Sequence, residues 1–337
     1  MAELSVFILT YNERLHIERC IRAAQRVARA VFVVDSGSDD GTCELARELG
    51  AIVVHHSWDN NHGRQTNWAI DHLPFDTEWV MRIDSDEIMT PELAEELECT
   101  LPLLPTDVTG LVVKRRQVFL GHRLRWGGNY PILLLRAFRR GFARCEERWM
   151  DEHLVVTSGV TRSLEHDLED CNLNELKWWT NKQANYAVRE AADIFLARER
   201  GEMRDARNGS SQPSARWLKK RFYKELPPFV RPSLYFGYRY FVRFGFLDGV
   251  PGLVWHVLQG FWYRFLVDSI VYETELRAKA SGARPLDVLA EIHRLKASPA
   301  VQSEEWTSLG ASNDQSASLG HQPDARTRAG LRTITSP

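Results

Sequence analysis

The chain has 337 residues, enough for two domains at roughly 150 residues each and a large buried core. Its 44% hydrophobic and 26% charged residues exclude a wholly disordered, collagen-like or disulfide-stapled chain. A net charge of -2 supplies no global basic field, so nucleic acid is not expected as a partner; yet Trp217–Arg264 holds 8 Lys/Arg against 2 acids.

The first hundred residues alternate in the βα manner. Leu4–Leu9 suits a buried parallel strand, and Arg14–Arg29 an exposed helix. Ala30–Val34 is a second strand that ends in Asp35-Ser36-Gly37-Ser38-Asp39-Asp40-Gly41, a loop. Thr42–Leu49 follows as a helix and Ala51–His55 as a strand. Gln65–His72 is a helix, and Glu78–Ile83 a strand running into Asp84-Ser85-Asp86-Glu87. Thr90 is set to cap a helix Pro91–Thr100, with Pro at its first position. The class is α/β with a doubly wound sheet. Leu111–Phe119 and Leu133–Phe138 are further strands, Asn174–Arg200 a long helix and Leu286–Lys296 a last one. Three regions are expected: 1–170 as an α/β domain, 171–296 as a helical region, and 297–337 as a disordered tail.

Cys20, Cys43, Cys99, Cys145 and Cys171 lie far apart with no CxxC pair, the pattern of reduced thiols rather than of a disulfide framework or zinc site. The N-terminal MAELSVFILTYNE lacks the basic stretch and cleavage site of a signal peptide, so a cytoplasmic location is expected. No stretch reaches the roughly 20 apolar residues needed to span a bilayer.

In an open parallel sheet, ligands bind outside the carboxyl ends of the strands. Four polar clusters fall there: Thr10-Tyr11-Asn12-Glu13, Asp35–Asp39, His62-Gly63-Arg64, and Asp84-Ser85-Asp86. Neither GxGxxG after the first strand nor GxxxxGK[ST] is present, which speaks against dinucleotide and P-loop chemistry. Two carboxylates one residue apart at a strand end suit a divalent ion, Mg²⁺ or Mn²⁺, whose other positions go to water and phosphate.

LSVFILTYNE, VVDSGSDDGT and MRIDSDE resemble the nucleotide-binding half of the family-2 glycosyltransferases, which have the GT-A fold. The resemblance implies that Thr10, Tyr11, Glu13 and Asp35 hold the nucleoside of a nucleotide-diphosphate sugar. It also implies that Asp84 contacts ribose or metal, that Asp86 binds metal under the diphosphate, and that Arg64 is the basic residue near it. WMDEH at Trp149–His153, Glu165-His166-Asp167, Lys182-Gln183-Ala184-Asn185-Tyr186-Ala187 and the block Arg231–Glu273 look like bacterial lipopolysaccharide-core and exopolysaccharide glycosyltransferases. An inverting transfer needs a base for the acceptor hydroxyl, and the Asp151-Glu152 pair is the candidate. Glu152 is favoured on the subgroup's pattern, with Asp151 still in contention. His153 and His166 are weaker candidates for the metal or diphosphate, and Trp178-Trp179 suits helix packing more than a sugar platform.

Lys219, Lys220, Arg221, Arg231, Arg239 and Arg243 stand among aromatics, a mixture that suits helices in a membrane interface; a packed helical cap with snorkelling arginines is the alternative. The expectation is a metal-dependent inverting hexosyltransferase on the inner face of the bacterial plasma membrane, with a lipid-linked saccharide as acceptor. A polyprenyl-phosphate glycosyltransferase and a non-catalytic nucleotide-binding scaffold are the alternatives.

Overall fold

The first strand, β1 (Leu4–Thr10), is apolar on both sides because both faces of the sheet are covered. Leu4, Val6 and Ile8 pack on one side with Ile17 and Ile21 of helix α1 (Arg14–Ala24). Phe7 points the other way, into a cluster with Phe32, Phe75, Val80 and Phe138. Side chains alternate across a strand, so one short sequence feeds two cores.

The computed structural model describes residues 2–59, 61–146, 153–199 and 226–293. After α1 come β2 (Ala30–Asp35), α2 (Thr42–Glu48), β3 (Ile52–His55), α3 (His62–His72), β4 (Trp79–Asp84), β5 (Glu87–Met89) and α4 (Pro91–Thr100). Thr90 caps α4 as expected, its hydroxyl accepting from the Leu93 N–H at 3.2 Å. β6 (Val108–Phe119), the short β7 (His122–Arg123), β8 (Ile132–Arg139), β9 (Ala143–Cys145), β10 (Leu154–Val156) and β11 (Val160–Cys171) follow. The main sheet runs β3-β2-β1-β4-β8-β6-β11-β5, with β7 on β6, while β9 and β10 form a separate hairpin. β1 pairs in parallel with both β2 and β4, and β8 runs antiparallel to β4. The sheet is therefore mixed and doubly wound. The chain leaves β1 toward β2 and later returns to its other side with β4, which opens a crevice at the carboxyl ends.

β11 is a strand the sequence reading did not find. Thr161, Arg162, Glu165 and His166 face solvent, and its register against β6 shifts between Ser163 and Asp167. The shift breaks the period-2 pattern that marks a strand.

After the sheet, α5 (Leu176–Glu199) packs against the helix Tyr263–Ser281. Tyr263 Oη and Arg264 Nη1 both donate to Glu190, at 2.6 and 2.7 Å. The helices Val230–Gly237 and Gly249–Trp255 each run on into a π-helical turn, Tyr238–Val242 and His256–Trp262. A final helix spans Pro285–His293; residues up to Val288 form one compact unit and those from Leu289 belong to another. The expected boundary at 170 falls at the end of β11, and the tail 297–337 lies outside the described residues.

The basic aromatic block does not offer its arginines as freely as its composition suggests. Arg231 is paired with the buried Asp268, and Arg239 donates to the Gly127 carbonyl at 2.6 Å and to Asn129. Arg243 is exposed, and Lys219, Lys220 and Arg221 lie outside the described residues.

Candidate functional site

Parallel register sets the first part of the site. Asp35 at the end of β2 lies beside Thr10 at the end of β1, and Asp84 at the end of β4 beside Leu9. Asp35 is fully buried, and its Oδ2 accepts from the N–H groups of Gly37 and Ser38 at 2.8 and 2.9 Å. Its Oδ1 accepts from the hydroxyls of Ser38 and Thr10. Gly37, at φ 101°, supplies the left-handed turn that brings these donors round. Burial works to raise the Asp35 carboxyl, but the bonds from Ser38 and Gly37 win and hold it below the usual range.

Asp35 also lies close to Cys43 and His55, the one three-residue His/Cys/carboxylate group among the described residues with ligand atoms within 4.8 Å of one another. Its carboxylate is already engaged by four donors. The Cys43 thiol is pushed up to about 11 by burial and by Asp35, so it stays protonated at neutral pH. This group is a hydrogen-bonded support for the loop.

The second part of the site is charged. Asp84 Oδ1 accepts from Arg82 Nε and Nη2 at 3.3 and 3.1 Å, and its Oδ2 from Arg136 Nη2 at 3.0 Å. Burial would raise the Asp84 carboxyl, but Arg136 and Arg82 hold it well below the ordinary carboxylate range. Glu87 behaves oppositely. Burial, aided by repulsion from Asp84, pushes it up to about 7 despite its contact with Arg136. Asp170 is pushed up to about 6 by burial and then by Asp86. Asp86 itself accepts one hydrogen bond at Oδ2, from Asn172 Nδ2 at 3.0 Å. Beside Asp84 opens a cavity of about 520 Å³, lined by Arg82, Arg115, Arg136 and His153 and by the apolar run Ile132–Leu135.

Of the residues singled out from sequence, Thr10, Asp35, Asp84 and Asp86 meet at this edge. Tyr11 stands 61% exposed at its rim, free to cover a flat ligand. Glu13 is tied to His16, with Oε2 at 2.6 Å from Nδ1. Arg64 is turned to Asp59, 2.6 Å from its carboxylate. Asp151 and Glu152 lie outside the described residues; the flanking Glu146 N–H donates to the His153 carbonyl at 2.9 Å, and His153 lines the cavity. His166 bonds Glu96 on α4 at 2.9 Å and takes no part in the cavity. Trp179 packs on Phe119 and Trp255, in line with helix packing, while Trp178 remains 40% exposed.

Sequence reasoning missed the roles of Arg82, Arg115, Arg136, Asp170 and Asn172. Arg82 had a signal: it is a charge inside an otherwise apolar strand, two residues before Asp84 and on the same face. The others come from β6, β8 and the end of β11, far away in the chain.

Residues 5–155 match the family model described as Glycosyl transferase family 2. That stretch is similar to the family-2 glycosyltransferases. The sheet described above is the GT-A-type mixed sheet that the resemblance implied. An uncharacterized glycosyltransferase of Rickettsia bellii is 38% identical over 96 residues, 28% of this chain and 32% of that protein. The chain thus spans about a third of the length of such relatives. The lipopolysaccharide core biosynthesis glycosyltransferase LpsC of Rhizobium meliloti is 26% identical over 284 residues, covering 80% of this chain and 92% of LpsC. Among solved structures, the mannosyltransferase PcManGT from Pyrobaculum calidifontis, in complex with GDP-Man and Mn²⁺, has a TM-score of 0.47 at 15% identity. That likeness covers 80% of this chain and 87% of PcManGT.

Proposed function

We propose that this chain is an inverting glycosyltransferase that moves a hexose from a nucleotide-diphosphate sugar to a hydroxyl of a lipid-linked saccharide. The observation that carries this reading is the shared edge of Asp35 and Thr10 with Asp84 and Asp86, beside a cavity large enough for a sugar. The family-2 match covers all of it, and the name of LpsC supports an envelope saccharide as acceptor.

A divalent cation, Mg²⁺ or Mn²⁺, fits the donor set. Asp170 is raised by burial and then by Asp86, and a cation at Asp86 would offset that second contribution. Asp84 has both oxygens held by arginines, so Asp86 would be the principal protein ligand, and Asp84 would add a contact to ribose or metal. When bound, the metal neutralises charge on the diphosphate as it leaves. In the transfer, the acceptor oxygen bonds to the sugar C1 while the C1–O bond to phosphate breaks. The bonding pair leaves with the nucleotide diphosphate, and the acceptor proton passes to Glu152 or Asp151.

The acceptor's lipid implies a membrane surface, here the inner face of the bacterial plasma membrane. Phe241, Val242, Phe244, Leu247 and Val250 are each more than half exposed, and Arg243 stands among them. Such a patch suits the headgroup boundary. Among the described residues no single helix is long and apolar enough to cross a membrane; Val230–Val242 and Gly245–Ser281, bent by 73°, reach that length and composition together.

A polyprenyl-phosphate acceptor is the second reading, favoured by the three guanidinium groups on the cavity wall. Such an acceptor is already an anion and needs no base, so a chain lacking both carboxylates, Asp151→Asn with Glu152→Gln, would retain turnover. The main reading is tested by release of UDP or GDP from the matching nucleotide sugars with bacterial lipid extract and Mn²⁺. Wild-type protein is expected to consume one donor, and Asp86→Asn to lose on the order of a hundredfold or more in rate. Full activity in Asp86→Asn would remove that residue from the mechanism.

A further inference from the structure

The segment that leads into α5 is fastened to both sides of the site. Cys171 N–H donates to the Asp86 carbonyl at 3.0 Å, and Asn172 Nδ2 to the Asp86 carboxylate at 3.0 Å. Leu173 N–H donates to His16 Nε2 at 2.9 Å, and the other nitrogen of that ring faces Glu13. α5 therefore starts from a clasp on Asp86 and on the helix that follows β1. Trp178, Lys182, Tyr186 and Arg189 recur at spacings of four, four and three, which puts them on one face of α5.

Lys182 differs from the other cations of the site. Arg82 and Arg136 are bound to Asp84, Arg115 lies 3.4 Å from Asp170, and Arg64 is paired with Asp59. Among the described residues no carboxylate comes within 4.0 Å of the Lys182 ammonium. It lies instead 4.8 Å from the centre of the Trp178 ring and 5.9 Å from that of Tyr186. Asp86 and Glu13 are among the groups whose charges act on it, and Asn172, on the segment leading into the same helix, holds the Asp86 carboxylate. Aromatic faces hold a cation in place without neutralising it, so its charge stays available to an anion.

We propose that Lys182 binds the diphosphate of the nucleotide sugar and stabilises the negative charge that builds on it as the C1–O bond breaks. This inference rests on the nucleotide-sugar reading above. The metal at Asp86 would take one side of the diphosphate and the α5 ammonium another. Two cations then share a leaving group that departs with a growing negative charge.

The test is calorimetric binding to the full chain of UDP, UMP and uridine, and of the guanosine series, with Mn²⁺ present. Wild type is compared with Lys182→Met, which keeps the stem and removes the charge, and with Lys182→Arg. Lys182→Met is expected to weaken the preferred diphosphate on the order of tenfold or more while the monophosphate changes much less. Lys182→Arg restores most of the loss, a rescue that a merely packed methylene stem would not require. Equal melting temperatures of the three proteins establish that the fold is intact. Unchanged diphosphate affinity in Lys182→Met, or an equal loss for uridine, monophosphate and diphosphate, overturns the role of Lys182 while leaving the nucleotide site standing. If wild type binds neither series, the nucleotide-sugar reading fails and this inference fails with it.

Discussion

The sheet edge and the C-terminal helices both set arginines beside carboxylates, and they use them for different ends. At the edge, Arg82 and Arg136 fix Asp84, yet Asp86, and Lys182 on α5, keep charge that no ion pair among the described residues cancels. In the helices, Arg231 closes on buried Asp268 and Arg264 on Glu190, while the residues left without cover are Phe241, Phe244 and Val250. One region leaves charge over and the other leaves apolar surface over. Residual charge in a concave edge suits a small anionic ligand, and residual apolar surface on a bent helix pair suits a lipid boundary.

Removing one arginine from each region should separate the two in function. Arg136→Met leaves Asp84 with Arg82 alone and takes the nearest cation from buried Glu87, and should lower stability by about 3 kcal/mol in urea unfolding, together with nucleotide affinity. Arg231→Met strands Asp268, which keeps the Phe229 N–H at 3.0 Å, and should destabilise somewhat less with nucleotide affinity unchanged. Equal loss of nucleotide binding in both would mean that the two regions are not functionally separate.

A smaller effect addresses the apolar surface. Replacing Phe241 and Phe244 together by Ser should reduce sedimentation with vesicles of anionic and zwitterionic lipid on the order of tenfold or more, leaving the melting temperature nearly unchanged. Unaltered vesicle binding would take the membrane role away from this patch.

The smallest effect concerns pH. His256 is fully buried, and burial followed by the charge of Arg239 pushes its pKa down to about 4. The unfolded chain binds this proton near pH 6.5 and the folded chain near 4, so the His256 contribution is intact above pH 6.5 and fades as pH falls toward 4. The full span is at most about 3 kcal/mol. His256→Asn should flatten the fall in melting temperature between pH 7 and 5; an unchanged slope would place the acid sensitivity elsewhere.

Much of the nucleotide half was legible because parallel strands advertise themselves. β1, β2 and β4 are short apolar runs, and each ends in polar residues that have no core to join. The cap at Thr90 was equally plain, since local chemistry alone decides it. β11 and the arginines of β6 and β8 were not, because their meaning arises only when strands distant in the chain pair around Asp84 and Glu87. Lys182 stood inside a recognised motif without a role, and its proposed one draws on the clasp at Asn172, which ties the segment before α5 to Asp86. The basic block misled in part: composition counts charges, and only the fold reveals which are already spoken for by Asp268, Glu190 and Asn129.

The sheet edge stands or falls on the proposed anchoring of a metal-bound nucleotide diphosphate by Asp86. Its most direct test is calorimetric titration of UDP and GDP into the full chain, with and without Mn²⁺, beside Asp86→Asn. One nucleotide should bind, Mn²⁺ should tighten it, and Asp86→Asn should abolish the metal-dependent part. Equal binding with and without metal, or in the wild type and Asp86→Asn, would contradict it.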